Sequence, residues 1–192
     1  MSISLQKGQK VSLEKPGGGG LTRVKMGLGW DAVARKGLFG RSKAQNIDLD
    51  ASCLLFDASG NLADSVWFRQ LRSKDGSVLH TGDNLTGEGE GDDEVINVDL
   101  SAVPPNISQL VFTVNSFTGQ DFSQIENAFC RLVDESTGQE IARYELTGSG
   151  RHNAQIMAKV SRDGQGWSMT AIGATANGRT FQHLLPAVSA HL

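Results

Sequence analysis

Alternation of apolar and polar positions runs through most of the chain. In Thr22-Arg-Val-Lys-Met-Gly-Leu28, Val24, Met26 and Leu28 share one face, while Arg23 and Lys25 take the other. A period of two predicts a half-buried strand. Similar reading predicts strands at Val11–Leu13, Ile47–Phe56, Val66–Arg69, Val95–Leu100, Leu110–Phe117, Phe129–Val133, Glu140–Leu146, Ala154–Val160 and Trp167–Ile172. Turn signals fall between them at Ala58–Asn61, Lys74–Ser77, Ser136–Gln139 and Asp163–Gly166. Turns spaced about 8–14 residues apart suit an antiparallel sandwich or barrel. No alternating long helices support a parallel sheet. Helical spacing occurs near the end, between Arg179 and His191, where Phe181, Leu184, Leu185 and Val188 recur at i, i+3, i+4 and i+7. Pro186 is expected to kink that helix or to restart it. The fold class is therefore all-β: a two-sheet antiparallel β-sandwich with a short C-terminal helix, forming one domain over residues 1–192.

Composition changes the picture at two places. The chain of 192 residues is 39% hydrophobic and 20% charged, which is ordinary for a soluble globular protein. No apolar run is long enough for a transmembrane segment. Net charge is −3, but its distribution is uneven. Residues 75–99 hold Asp75, Asp83, Glu88, Glu90, Asp92, Asp93, Glu94 and Asp99 and no Lys or Arg. The rest of the chain carries 18 bases against 13 acids. Two stretches look like insertions: Gly17–Gly20, a loop tip, and Arg35-Lys-Gly-Leu-Phe-Gly-Arg-Ser-Lys43, with four bases and no acid. That second stretch is either a solvated loop or a contact for an acidic partner or an anionic membrane surface. The N-terminus has no signal-peptide pattern. Cys53 and Cys130 each lie in an apolar run, which predicts buried, reduced thiols and a cytoplasmic location.

The acidic segment carries the candidate chemistry. In Gly82-Asp-Asn-Leu-Thr-Gly-Glu-Gly-Glu-Gly-Asp-Asp-Glu94, glycines alternate with acids. Crowded carboxylates raise one another's pKa unless they splay into water or share a cation. Glycine lets backbone carbonyls approach closely. Such an oxygen-rich set suits Ca2+, which takes about 6–8 oxygen ligands. Asp48 and Asp50 stand two apart on a predicted strand and share a face with Ser52. Asp31, after Gly27-Leu-Gly-Trp30, is a further candidate at a strand end. Other motifs fit worse. Counted as an EF-hand loop from Asp83, Leu85 and Gly87 occupy ligand positions and Glu88 the glycine position. A phosphate loop would need a Lys that is absent here. The four His are scattered, without zinc spacing. Nucleic-acid binding is disfavoured by the acidic segment. No nucleophile elbow or kinase set appears.

These residues resemble the TerD family of tellurium-resistance and stress proteins. The resemblance lies in Gly27–Asp31, Ile47–Ser52, His80–Asn84 with Gly87–Glu94, Phe122 with Glu126–Phe129, and Arg131–Val133 with Ala142–Leu146. The opening ten residues and the stretch 35–43 look most like its TerZ branch. The resemblance implies a calcium-binding sandwich with two neighbouring ions. Its ligand set would be drawn from Asp31, Asp48, Asp50, Asp83, Asn84, Glu88, Glu90, Asp92, Asp93 and Glu94. The family is linked to tellurite resistance, and its operons include a membrane partner, TerC. The expectation is a non-enzymatic calcium-binding protein that acts with other tellurium-resistance proteins, peripheral at the inner face of the membrane through such partners. Two alternatives stay open: a metal-dependent enzyme or redox protein acting on tellurite, and a carbohydrate-binding module with structural calcium. The redox alternative requires an exposed, reactive Cys53 or Cys130. The carbohydrate alternative requires an aromatic platform from Trp30, Trp67 or Trp167, which are otherwise core residues.

Overall fold

The structure, a computed structural model, describes residues 2–15, 18–32, 34–36, 42–44, 48–82, 91–146, 150–164 and 166–192. Of the expected ligands, Asp83, Asn84, Glu88 and Glu90 lie outside the described residues.

In chain order the strands are β1 (Ile3–Ser4), β2 (Lys10–Ser12), β3 (Arg23–Ala32), β4 (Ala34–Lys36), β5 (Ser42–Ala44), β6 (Leu49–Asp57), β7 (Leu62–Val66), β8 (Val78–His80), β9 (Glu94–Asp99), β10 (Ile107–Ser116), β11 (Ile125–Asp134), β12 (Glu140–Glu145), β13 (Ala154–Asp163) and β14 (Gly166–Ala176). One sheet runs β1-β12-β11-β3-β9-β8 and the other β2-β14-β13-β10-β6-β7. Among the described residues every pair in these sheets is antiparallel except β1 with β12. The two-sheet sandwich expected from the alternation is present.

The core lies between the sheets. Val24, Met26, Leu28 and Trp30 enter it from β3, Ile96 and Val98 from β9, and Leu49, Ala51, Cys53 and Leu55 from β6. The second sheet is buried on its outer face as well. There helix α1 (Phe181–Val188) lays Phe181, Leu184 and Val188 on Leu54, Phe56, Val111, Ile156 and Ile172. This accounts for the apolar run from Cys53 to Phe56, since a strand covered on both faces has no polar side.

Three expectations need correction. The strand expected at Val66–Arg69 lies earlier, at Leu62–Val66, and Trp67 and Gln70 close a turn by exchanging backbone hydrogen bonds. The free edge of β6 selects that segment through Val66 opposite Cys53 and Asp64 opposite Leu55, despite its weak apolar pattern. The base-rich stretch is more than a bare insertion, because its flanks β4 and β5 pair as an antiparallel ribbon. Pro186 does not restart α1, which continues through it to Val188 and passes into a 3-10 turn at Ser189–His191.

Candidate metal centre

The described members of the expected ligand set lie toward one end of the sandwich, in two groups on opposite sheets. On the outer face of the first sheet, β3 carries Gly27, Gly29 and Asp31, alternating with the core residues Met26, Leu28 and Trp30. The segment Gly91-Asp92-Asp93 folds back over this face. Asp93 donates its backbone N–H to the Leu28 carbonyl at 2.8 Å, and its side chain accepts the Trp30 N–H at 2.9 Å. The two glycines make this approach possible. A Cβ at Gly27 would fall inside the Asp92 carboxylate, and one at Gly29 would stand 2.5 Å from the Phe129 ring and 2.6 Å from the Gly91 carbonyl oxygen.

Asp92 is held by Arg131, whose Nε and Nη2 donate to its two oxygens at 2.7 and 3.1 Å. The Arg143 guanidinium lies 3.6 Å over the centre of the Phe129 ring. Asp31 is exposed and accepts the Asn127 side-chain amide at 2.6 Å. Asn127 reaches it from a bulge in β11, where the backbone takes a φ of 51°. Trp30, Asp31, Gly91, Asp93, Asn127 and the two arginines line an open cavity of about 380 Å³. Burial pushes the Asp93 carboxyl above the usual carboxylate range, outweighing the Trp30 hydrogen bond, and the charges of Asp31 and Asp92 push it further.

That shift has a pH signature. Asp93 is raised in the folded state, so its favourable contribution is complete below the unfolded value of about 4. It is lost as pH rises through the folded value. In chelator, Asp93→Asn should therefore melt at the same temperature as wild type in acid. It should melt above wild type as pH rises towards neutrality.

The second group lies on the outer face of the other sheet. Asp50 and Ser52 lie opposite the core face of Leu49, Ala51 and Cys53, as the alternation predicts, and Asp48 stands at the strand entrance. Strand β10 places Asn115 beside Asp50 and Thr113 beside Ser52. All four of these side chains are buried. Asn115 gives its amide to the Gly178 carbonyl at 3.0 Å. Its Oδ1 and the Thr113 Oγ1 are buried with no hydrogen-bond partner among the described residues. Buried polar atoms in this state are ordinarily satisfied by an ordered water or an ion. Linear spacing gave no sign of Thr113 and Asn115, because strand register alone brings them to Asp50.

Glu94 takes a different place from the other acids. It shares the inward parity of Ile96 and Val98 and is 1% exposed. Strand β7 ends opposite Cys53, so the Ala51 N–H has no strand partner on that side. Glu94 Oε2 accepts this N–H at 2.7 Å and faces His80 Nε2 at 3.3 Å. His80 Nδ1 accepts the Gly82 N–H at 3.1 Å, which leaves the ring proton on Nε2, toward the carboxylate. Glu94 thus ties the two sheets together between the acidic groups. His80 is a partner that its linear spacing from the other histidines does not reveal.

Among the described residues, no three His, Cys, Asp or Glu stand close enough together to hold a metal ion. The donor chemistry of both groups is nonetheless all oxygen, which fits a hard cation better than zinc.

The fold is a two-sheet β-sandwich that carries acidic side chains at one end. The chain belongs to the TerD family: the TerD domain matches residues 1–186. It is 51% identical to tellurium resistance protein TerZ of Serratia marcescens over 95% of this chain and 94% of the relative. It is 42% identical to stress response protein SCP2 of Bacillus subtilis (strain 168), over 96% and 98% of the two chains. A crystal structure of a homologue of telluride resistance protein (TerD) from Streptomyces coelicolor A3(2) has the same fold, with a TM-score of 0.72 and 20% identity over 88% of this chain and 98% of that one. The family, and its place in tellurium resistance and stress response, agree with the resemblance read from the motifs.

Proposed function

We infer that this protein is a non-enzymatic calcium-binding member of its resistance system. Two ions bind at one end of the sandwich, one beside each acidic group. Asp31 and Asp93 serve the first, and Asp48 and Asp50, with Thr113 Oγ1 and Asn115 Oδ1, serve the second. The segment 83–90 supplies Asp83, Asn84, Glu88 and Glu90 to complete them. Asp92, clamped by Arg131, and Glu94, tied to Ala51, position the others. The observation that carries this reading is Asp93, partly buried and held by the Trp30 N–H on the face that also carries Asp31 and Asp92. Calcium relieves that repulsion, orders the end of the sandwich and presents it to other resistance proteins, including a membrane partner. Two buried thiols suit the reducing cytoplasm.

Terbium, which mimics calcium, tests the first site because Trp30 adjoins it. Excitation of tryptophan should sensitise terbium emission, and calcium should quench it by displacement. Asp31→Asn with Asp93→Asn should abolish it. No sensitised emission from wild type would refute the site.

The thiols bear on redox chemistry. Both are fully buried, and burial pushes both pKa values up, Cys130 to about 12. Labelling of native protein at neutral pH should therefore proceed only as fast as unfolding exposes them. Rapid labelling without unfolding would reopen the redox alternative.

A further inference from the structure

We propose that the protein has a further binding site at the pole opposite the acidic groups, a pocket that takes a small monocarboxylate with a compact apolar body. The site is independent of the calcium reading above.

The strands place the pocket. β3 runs from Arg23 at this pole towards Asp31 beside the first acidic group, and β9 returns from Glu94 to Asp99. Eight residues of extended chain separate Arg23 from Asp31, about 26 Å. At the Arg23 end lies a cavity of about 320 Å³, lined by Leu21, Leu100, Val103 and Trp167. All four are buried members of the core between the sheets, so the cavity is a hollow in the end of that core. Its volume is at the lower end of the range for small-ligand sites, about 300–1,000 Å³.

Arg162 gives the hollow its charge. It lines the same cavity and is exposed to solvent. It pairs with Trp167 across β13 and β14, and its guanidinium lies 4.4 Å from the centre of the indole ring. Its Nε donates to the Ile107 carbonyl at 2.8 Å, and its Nη2 to the Val103 and Pro104 carbonyls at 3.0 and 3.1 Å. Ring and turn thus fix the guanidinium before any ligand arrives, which lowers the ordering cost of binding. Nη1 makes no hydrogen bond among the described residues. No described carboxylate pairs with Arg162 either, since Asp99 engages Arg23 and Asp163 engages Lys10. A fixed positive charge with spare N–H donors therefore stands beside an apolar hollow.

That pairing selects the ligand. One carboxylate matches the one charge and accepts charge-assisted hydrogen bonds from Nη1. Its apolar body displaces water from Leu21, Leu100 and Val103. A phosphate dianion brings a second charge with no base to meet it, and Asp99, which accepts the hydroxyl of Ser101 on the cavity wall, repels it. A neutral apolar molecule leaves the guanidinium unmatched.

The test is a titration of the isotopically labelled full chain, followed by nuclear magnetic resonance, with sodium hexanoate, 1-hexanol and inorganic phosphate at constant pH and ionic strength. The indole N–H signal of Trp167, assigned through Trp167→Phe, should move saturably with hexanoate, in calcium and in chelator alike. Those of Trp30 and Trp67 should stay in place. Hexanol and phosphate should bind at least about 10-fold more weakly, because each lacks one half of the match. Arg162→Gln should weaken hexanoate binding by a similar factor. That change also frees the turn at 103–107, so a second variant leaves Arg162 alone. Gly20 lines the cavity, its φ lies outside the left-handed region, and a Cβ there would meet nothing within 4 Å. Gly20→Leu should therefore fill the hollow and abolish the shift in protein that still folds. No saturable movement of the Trp167 signal with hexanoate would overturn the proposal. So would equal binding of hexanol or phosphate, or undiminished hexanoate binding in either variant.

Discussion

Adding calcium at a hundredfold excess over its dissociation constant to chelator-treated protein should raise the melting temperature by about 10–20 °C when both sites fill. A ligand that binds only the folded state stabilises it by about 2.7 kcal/mol per site at that excess. For a chain of this size each kcal/mol moves the midpoint by roughly 2–4 °C. The gain has a physical source in the burial of the Asp93 carboxylate, to which the charges of Asp31 and Asp92 add. Asp48→Asn with Asp50→Asn removes the second site and should reduce the shift. Adding Asp31→Asn and Asp93→Asn should abolish it. A melting curve indifferent to calcium would count heavily against the reading. Magnesium should do less, because it demands a tighter octahedral shell and keeps its waters.

The second large effect concerns Glu94. Glu94→Ala should cost about 1–3 kcal/mol even in chelator, a fall of about 2–12 °C in melting temperature. The substitution removes the acceptor of the Ala51 N–H and the charge facing His80 in a site closed to water. Glu94→Gln should recover much of the loss, because an amide oxygen can still accept from Ala51. Because the comparison is made without metal, it separates the tie between the sheets from any part Glu94 plays in binding. A Glu94→Ala protein as stable as wild type in chelator would show that the bridge is unimportant.

Much of the scaffold was legible wherever one face of a strand must be apolar. Val24, Met26, Leu28 and Trp30 enter the core at every second position, and the Phe181–Val188 spacing places α1 on the second sheet. Cys53 and Cys130 are buried free thiols, as their apolar neighbours implied. Of the indoles, Trp30 and Trp167 are core, while Trp67 is half-buried against Phe68 and Phe181.

Short edge strands were less legible. β1, β7 and β8 carry two, five and three residues, too few for periodicity to register, and backbone pairing with a longer neighbour selects them. The candidate site was legible as a list of acids but not as an arrangement. Neither the guanidinium that engages Asp92 nor the oxygens beside Asp50 can be read from linear spacing, because strand register creates both contacts. Glu94 has the same parity as Ile96 and Val98, which turns it inward and is visible in the sequence itself. The glycines of Gly27-Leu-Gly29 likewise make room for the segment 91–93.

Calorimetric titration of calcium into chelator-treated protein tests the central claim most directly. The account predicts saturable binding of two ions per chain, falling to one in Asp48→Asn with Asp50→Asn and to none when Asp31 and Asp93 are also replaced. Titration heats no larger than dilution, in protein that remains folded, would contradict it.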